Sequence, residues 1–233
     1  MKIKGYRILS NIIIFGMFAI LLVYIGASNY QYVFSYQNED VIYNGNKDSN
    51  KVSLMINVYW GTEYIEDMLN VFDNYNVKTT FFVGGQWVEK EPEMLDLIIS
   101  KGHEIGNHGY FHKDQEYLSY EQNYEEINVN HQLVFANHGY EMNLFAPPSG
   151  SFNKATLKSA SDLGYKTIMW SKDTIDWRDK DVNLIFSRAT NKIHGGELIL
   201  AHPTECTLKA LPLILEYYKI NNIVATTVTD CLK

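Results

Sequence analysis

Residues 52–83 spell out a β-α-β unit, VSLMINVYWGTEYIEDMLNVFDNYNVKTTFFV. The runs Val52–Val58 and Thr79–Val83 are apolar and rich in β-branched and aromatic residues, as buried strands usually are. Between them, four apolar residues follow the i, i+3, i+4, i+7 spacing of a helix that buries one stripe: Ile65, Met68, Leu69 and Phe72. The unit therefore predicts two parallel strands joined by a helix.

The same alternation continues along the chain. Five further strand-like runs are His103–Gly106, Asn143–Ala146, Lys166–Trp170, Glu197–Ala201 and Ile223–Val228. Helix starts are predicted at Ser119, where Gln122 completes a capping box, and at Asn153 and Asp181. Seven strands alternating with helices predict an α/β fold with a parallel sheet, either open or closed as a barrel. Any site is expected where the carboxyl ends of the strands meet.

Composition and charge limit the possible partners. The chain has 233 residues with 20 Lys+Arg against 27 Asp+Glu, a formal net charge of −7, and no basic run. Proteins that bind nucleic acid concentrate basic side chains on one face, so nucleic acid is not an expected partner. With 46% hydrophobic and 20% charged residues, the composition is that of an ordinary globular protein.

The amino-terminal residues predict a membrane-targeting segment. Lys2, Lys4 and Arg7 precede the stretch 8–38, which has no charged side chain, and residues 12–27 are almost wholly apolar. Basic residues stay on the cytoplasmic side, so a retained helix places the rest of the chain outside the cell as a single-pass membrane protein. The alternative is a cleaved signal peptide and a secreted protein.

Three parts of the chain are expected on this basis. Residues 1–28 are predicted to form a signal anchor, residues 29–51 an extracellular tether, and residues 52–233 the folded domain. Cys206 and Cys231 match no zinc-site spacing. The sequence leaves open whether they are buried free thiols or form one bridge.

Polar clusters follow four of the predicted strands. They are His108 with His112, the run Ala146–Gly150, the run Asp173–Trp177, and Leu200 with His202. Two histidines four residues apart lie on one face of a helical turn, where both imidazoles can reach one metal ion. Each cluster alone fits an ordinary loop, but four at successive strand ends favour a functional site.

In these motifs the chain resembles the polysaccharide deacetylase family, also called the NodB homology domain or carbohydrate esterase family 4, and most of all its sporulation-type and clostridial-type members. The similarity covers roughly residues 51–231 and includes GHEIGNH at 102–108, APPSG at 146–150 and DTIDW at 173–177. The resemblance implies a distorted (β/α)7-type barrel and hydrolysis of N-acetyl groups on peptidoglycan or a related extracellular glycan. It also implies a divalent metal, most often Zn²⁺.

The resemblance also assigns roles to individual residues. His108 and His112 match the family's metal ligands, and His202 matches its general acid, which Asp176 orients. Residues that match positions lining the substrate pocket are Pro148, Ser149, Trp177 and Leu200. Tyr110 is predicted to contact sugar rings together with Trp177, Tyr59 and Trp60.

The first motif departs from the family pattern T-F-D-D-G. Asn57 stands at the position of the base aspartate, and neither Val58 nor Tyr59 supplies the carboxylate that binds metal. An amide cannot take a proton from water, and loss of a general base costs about 10² to 10⁴ in rate. The third metal ligand would then come from the Asn57 oxygen, from Glu63 or from water. Glu63 is the nearby carboxylate, although a glutamate in a first helical turn is favoured by the helix dipole alone.

Two functions therefore remain open from the sequence. The first is a membrane-anchored, metal-dependent carbohydrate deacetylase whose altered first motif lowers or abolishes activity. The second is a catalytically inactive glycan-binding module of the same fold. The motif histidines, Asp176 and Trp177 fit both functions better than they fit a purely structural role.

Overall fold

A computed structural model describes residues 16, 17 and 41–233. By its contacts the chain divides into two units, Met1–Glu39 and Asp40–Lys233. The predicted anchor at 1–28, apart from helical residues 16 and 17, and the tether up to residue 40 lie outside the described residues. Within the described part, no helix has the length and apolar character needed to cross a bilayer.

The described domain contains eight short strands. They are β1 (Lys51–Val58), β2 (Thr80–Val83), β3 (Glu104–Asn107), β4 (Leu144–Phe145), β5 (Lys166–Thr167), β6 (Lys172–Asp173), β7 (Leu198–Ala201) and β8 (Val224–Ala225). All the strand pairs are parallel, in the order β5-β4-β3-β2-β1-β7-β6, and β8 pairs with the start of β1. The predicted parallel α/β architecture is confirmed.

Nine α-helices of the described domain connect and cover these strands. They are α1 (Thr62–Asn74), α2 (Gly85–Lys90), α3 (Pro92–Ser100), α4 (Tyr120–His138), α5 (Lys154–Asp162), α6 (Asp176–Asp179), α7 (Val182–Thr190), α8 (Glu205–Ile220) and α9 (Val228–Cys231). Helix α1 buries the predicted stripe of Ile65, Met68, Leu69 and Phe72. The predicted capping residues Ser119, Asn153 and Asp181 all accept hydrogen bonds from the first turns of their helices.

The strand count of seven was wrong because an eighth strand, β6, follows the predicted run Lys166–Trp170. That run contains β5, which pairs with β4, and β6 begins two residues after its end and pairs with β7. The two ends of the strand order are thus parts of one stretch, residues 166–173. The parallel strands form a half-barrel that begins and ends in this stretch.

Alternation along β1 directs Asn57 into the barrel. Met55 belongs to the smaller interior cluster with Phe82 and Leu144, whereas Ile56 and Val58 pack in the larger cluster beneath the helices. Because successive strand residues point to opposite faces, Asn57 shares the interior face with Met55, one position nearer the carboxyl end. Asn57 is thus the last residue of β1 on the interior face, and it lies at the carboxyl end of the strand, where a site is expected.

Residues 42–46 pack on the barrel and do not form a free tether. Ile42 bridges to Ile168, and its carbonyl accepts from the Met169 N–H at 2.8 Å. The Asn46 N–H donates to the Cys231 carbonyl at 2.8 Å. The predicted boundary at residue 51 therefore lies about ten residues too late, because backbone pairing of an irregular segment leaves no hydrophobic period in the sequence. Cys206 and Cys231 are both free thiols.

Candidate functional site

A cavity of about 470 Å³ opens at the carboxyl ends of the strands. The strand register brings these ends together: Val58 lies beside Val83, Val83 beside Asn107, and Asn107 beside Phe145. The lining residues are Asn57, Tyr59, Trp60, His108, His112, Ser149, Trp170, Asp173, Trp177, Leu200 and His202. Parallel pairing thus gathers side chains from β1, β3, β6 and β7 and the loops that follow them.

The two predicted metal-site histidines lie side by side. Their ring centroids are 5.1 Å apart, and Nδ1 of the buried His108 lies 2.7 Å from the Ala146 carbonyl. A carbonyl only accepts, so Nδ1 carries the proton and Nε2 keeps its lone pair. Burial, together with the neighbouring His112, lowers the pKa of His108 to about 3, and burial also lowers the pKa of His112. Both rings are neutral at neutral pH, as metal binding requires.

His202 is held by a buried carboxylate. Asp176 is 0% exposed and accepts from the backbone N–H of His202 at 2.7 Å, from Nδ1 of the same residue at 2.8 Å, and from Thr207 Oγ1. Burial alone would raise the pKa of Asp176, but its hydrogen bonds and the charge of His202 outweigh this effect and lower it. The imidazole is thereby fixed with Nε2 directed away from the carboxylate.

Three non-glycine residues at the site adopt left-handed backbone conformations. The φ angles are 56° for His112, 55° for Ser149 and 52° for Ile175. Such conformations cost about 1 to 3 kcal/mol each and concentrate at functional sites. Ser149 lies in the short 3-10 turn Pro148–Gly150 and lines the cavity, as the motif predicted.

The residues present do not complete a metal site. Among residues 16, 17 and 41–233, no group of three His, Cys, Asp or Glu side chains is placed to hold an ion. The Oδ1 atom of Asn57 is buried without a hydrogen-bond partner, and the Tyr59 ring packs against His112 with centroids 4.8 Å apart. Catalytic zinc sites use three protein ligands and an open position, so two imidazoles leave the donor set one ligand short.

Most of the predicted residues meet at the cavity, but four do not line it, and one of these, Asp176, is buried behind His202. Pro148 is buried beside Gly109, and Tyr110 lies in a neighbouring depression with Phe111 and Glu126. Glu63 is exposed in the first turn of α1 and is absent from the lining. Its role as a replacement ligand stays a prediction without support from its position.

The sequence interpretation assigned no role to three residues that shape the site. Trp170 and Asp173 line the cavity. Glu126, 3% exposed on α4, accepts from the backbone N–H groups of Tyr110 and Phe111 at 3.2 and 2.8 Å and so fixes the loop before His112. The sequence pattern that could have indicated this role is the row of polar residues at positions 123, 126 and 130 of α4, spaced i, i+3, i+7. In the structure these residues are buried, which is unusual for polar side chains.

Comparison with known proteins places this site in a family. The family model for polysaccharide deacetylase matches residues 44–168. The chain is 38% identical over 191 residues to the uncharacterized protein YlxY of Bacillus subtilis, covering 82% of this chain and 60% of that protein. It is 29% identical to the peptidoglycan-N-acetylmuramic acid deacetylase PdaA of the same organism, covering 70% of this chain and 64% of PdaA.

A solved structure shows the same fold. BA3943, described as a CE4 family pseudoenzyme from Bacillus anthracis, superposes with a TM-score of 0.82 at 34% identity and covers 84% of this chain and 70% of that chain. A mutant of BA3943, described as having restored enzymatic activity, superposes with the same TM-score at 32% identity, over 84% of this chain and 72% of that one. The chain belongs to the polysaccharide deacetylase family. It spans about three fifths of the length of the curated relatives it matches.

Proposed function

We propose that this protein is a glycan-binding member of the polysaccharide deacetylase family that does not hydrolyse N-acetyl groups. The observation that carries the proposal is the loss of both functions of the first motif at one place. Asn57 stands where the base would be, and no third His, Cys, Asp or Glu among the described side chains joins the imidazoles of His108 and His112. The pseudoenzyme description of BA3943, a relative of the same fold, supports this reading.

Binding is supported by the aromatic lining of the cavity. Trp60 and Trp177 are 46% and 52% exposed at its rim, and Trp60 stacks on the His202 ring at 5.7 Å between centroids. Exposed indole faces next to polar groups are suited to packing against the apolar faces of sugar rings. The peptidoglycan substrate in the name of PdaA supports a cell-wall glycan as the ligand.

A membrane-anchored, extracellular location belongs to the same proposal. The basic residues Lys2, Lys4 and Arg7 before an apolar stretch support a retained signal anchor with the domain outside the cell. Secretion after cleavage is the alternative, and protease accessibility of the domain on intact cells, followed by mass measurement of its amino terminus, distinguishes the two.

A second candidate is a slow metal-dependent deacetylase with a rebuilt base. The intact pair of His202 with Asp176 at 2.8 Å favours it, because a general acid held in this way has a use in amide hydrolysis. Under this function the chain would bind Zn²⁺ weakly and hydrolyse acetylated glycan well below the rate of a family member with both aspartates.

Acetate release from chitotetraose and from peptidoglycan, with added Zn²⁺, tests the proposal. We expect no release by the native chain, and release by the double variant Asn57→Asp, Tyr59→Asp, which places one carboxylate at the base position and one beside His112, where the Tyr59 ring now packs. The melting temperature of the variant must be measured beside its activity, because the variant removes the packing of the Tyr59 ring on His112. Release by the native chain at the rate of an intact family member contradicts the proposal.

Binding is measured separately by titration calorimetry with the same ligands. Trp177→Ala is expected to weaken binding about tenfold because it removes one aromatic face. Tyr117→Ala is the matched control, since Tyr117 is 79% exposed and lies outside the cavity lining. Equal losses in the two variants, or no binding by the native chain, would contradict a glycan-binding role for this cavity.

A further inference from the structure

The cavity is lined by one carboxylate and three histidines, His108, His112 and His202. Among its described lining residues, Asp173 is the one Asp or Glu, and there is no Lys or Arg. The Oδ1 atom of Asp173 accepts from the Ile175 N–H at 2.8 Å. A carboxylate has about four lone-pair sites, so Oδ2 remains available to a ligand.

The guanidinium of Arg178, which acts electrostatically on Asp173, is paired with a different carboxylate, Asp179, which also accepts from Arg188. Arg178 carries its charge within range of Asp173, but its Nε lies 2.6 Å from Asp179 Oδ1 and its Nη2 lies 3.1 Å from Asp179 Oδ2. This two-point pairing holds the guanidinium against Asp179. Asp173 therefore presents a carboxylate to the cavity without a bound cation of its own.

Aromatic side chains line the same cavity as this carboxylate. The lining includes Tyr59, Trp60, Trp170 and Trp177, which is four aromatic side chains among the eleven lining residues. The faces of aromatic rings attract cations, and a set of such rings with a carboxylate is the arrangement that binds ammonium groups. A neutral ligand gains only packing contacts from these rings, because it carries no charge for the rings and the carboxylate to attract.

The hydrogen-bonding groups at the base of the cavity also favour a cationic ligand. His108 donates through Nδ1 to the Ala146 carbonyl, so its Nε2 is an acceptor. No third His, Cys, Asp or Glu among the described side chains joins the two imidazoles. Their acceptor nitrogens can therefore bind a cationic group that donates hydrogen bonds. A primary ammonium group brings one positive charge and three donors, whereas an acetamide is neutral and brings one donor.

We infer that the cavity binds glycan units that carry a free amine, the de-N-acetylated form of an amino sugar, in preference to the N-acetylated form. This inference rests on the proposed glycan-binding function and narrows its ligand class. The protein would then bind a wall or chitin-type glycan after another enzyme has hydrolysed the amide and released acetate. The preference comes from Asp173 and the aromatic rings of the same cavity.

The test compares binding of chitotetraose and its fully deacetylated counterpart to the full chain by titration calorimetry in about 0.15 M NaCl, where charges beyond about 8 Å are largely screened. We expect the deacetylated tetramer to bind about tenfold more tightly. Asp173→Asn keeps the oxygen that accepts from Ile175 and removes the charge. It is expected to abolish most of the preference, chiefly by weakening the binding of the deacetylated tetramer.

A matched control separates this site from general attraction between a cationic glycan and a protein of net charge −7. Asp67→Asn makes the same charge change at an exposed position of α1 outside the cavity, and the preference should persist. Equal or tighter binding of chitotetraose overturns the inference and leaves the proposed function standing, as does an equal effect of the two variants. No binding of either tetramer overturns both.

Discussion

At the scale of single residues, the cavity combines a histidine held by a buried carboxylate with an amide at the position of the first motif's aspartate. Asp176 holds His202 through its backbone N–H and its Nδ1 atom, a pairing that the family resemblance predicted from the sequence. Asn57 reaches the cavity from the interior face of β1 but brings an amide. The chain therefore has the histidine and aspartate of the later motifs but not the base aspartate of the first motif.

Replacing the buried carboxylate tests how much of the site depends on it. In Asp176→Asn one acceptor oxygen becomes an NH₂ group that faces the donors of His202 and Thr207, so buried donors lose their partner. We expect a loss of about 2 to 4 kcal/mol in the free energy of unfolding, measured by urea denaturation.

The control for this variant is Asp230→Asn. Asp230 pairs with Lys233 near the carboxyl terminus, where its side chain is 47% exposed. Exposed ion pairs contribute about 0 to 1 kcal/mol, so this variant should be nearly neutral. A similar loss in both variants would show that the bonds of Asp176 add little to stability.

At the scale of elements, helix α4 organises the loop that carries His112. Its buried Asn130 donates from Nδ2 to the Val83 carbonyl at 2.8 Å and to Asn107 Oδ1 at 2.9 Å. Glu126, on the same face, accepts from the loop backbone and pairs with Lys113 at 2.9 Å. A polar helix face thus satisfies a loop backbone that has no strand partner, as buried N–H groups require.

The variant Glu126→Gln tests this organisation. A neutral amide accepts the loop N–H bonds less strongly than a carboxylate and loses the pair with Lys113. We expect a loss of about 1 to 3 kcal/mol in unfolding free energy and faster amide hydrogen exchange at Tyr110 and Phe111. Glu125→Gln, one position earlier and exposed, should change neither quantity. Unchanged exchange in Glu126→Gln would mean that the loop is held by other contacts.

At the scale of the whole domain, the half-barrel depends on segments far apart in sequence. The stretch 166–173 joins β4 to β7, and residues 42–46 lie between that stretch and the carboxyl terminus. Gly45 lies so close to Cys231 that an added Cβ atom would meet the Cys231 carbonyl oxygen at 2.2 Å. A side chain therefore cannot be added there without moving backbone.

Gly45→Ala should accordingly destabilise the domain. We expect a loss of about 1 to 3 kcal/mol from overpacking, and a lower melting temperature by calorimetry. Lys47→Ala, two residues on and exposed, is the control and is expected to be neutral. A neutral Gly45→Ala would indicate that this segment can leave the domain without loss, as the predicted tether would.

The sequence by itself determined the parallel α/β class, the stripe of α1, the helix caps and the family motifs. These are local patterns: a helical stripe or a cap is complete within about two turns, and each motif lies on one short segment. It also determined that the base aspartate is absent, since Asn57 falls inside a recognisable motif.

Only the tertiary structure decided the rest. The additional strand β6 exists because the chain pairs there with β7, a neighbour that is distant in sequence. The same holds for Trp170 and Asp173 in the cavity and for Glu126 behind the loop before His112. Each acts through a partner brought close by folding, and sequence spacing carries no record of distances between segments that meet only in the folded barrel.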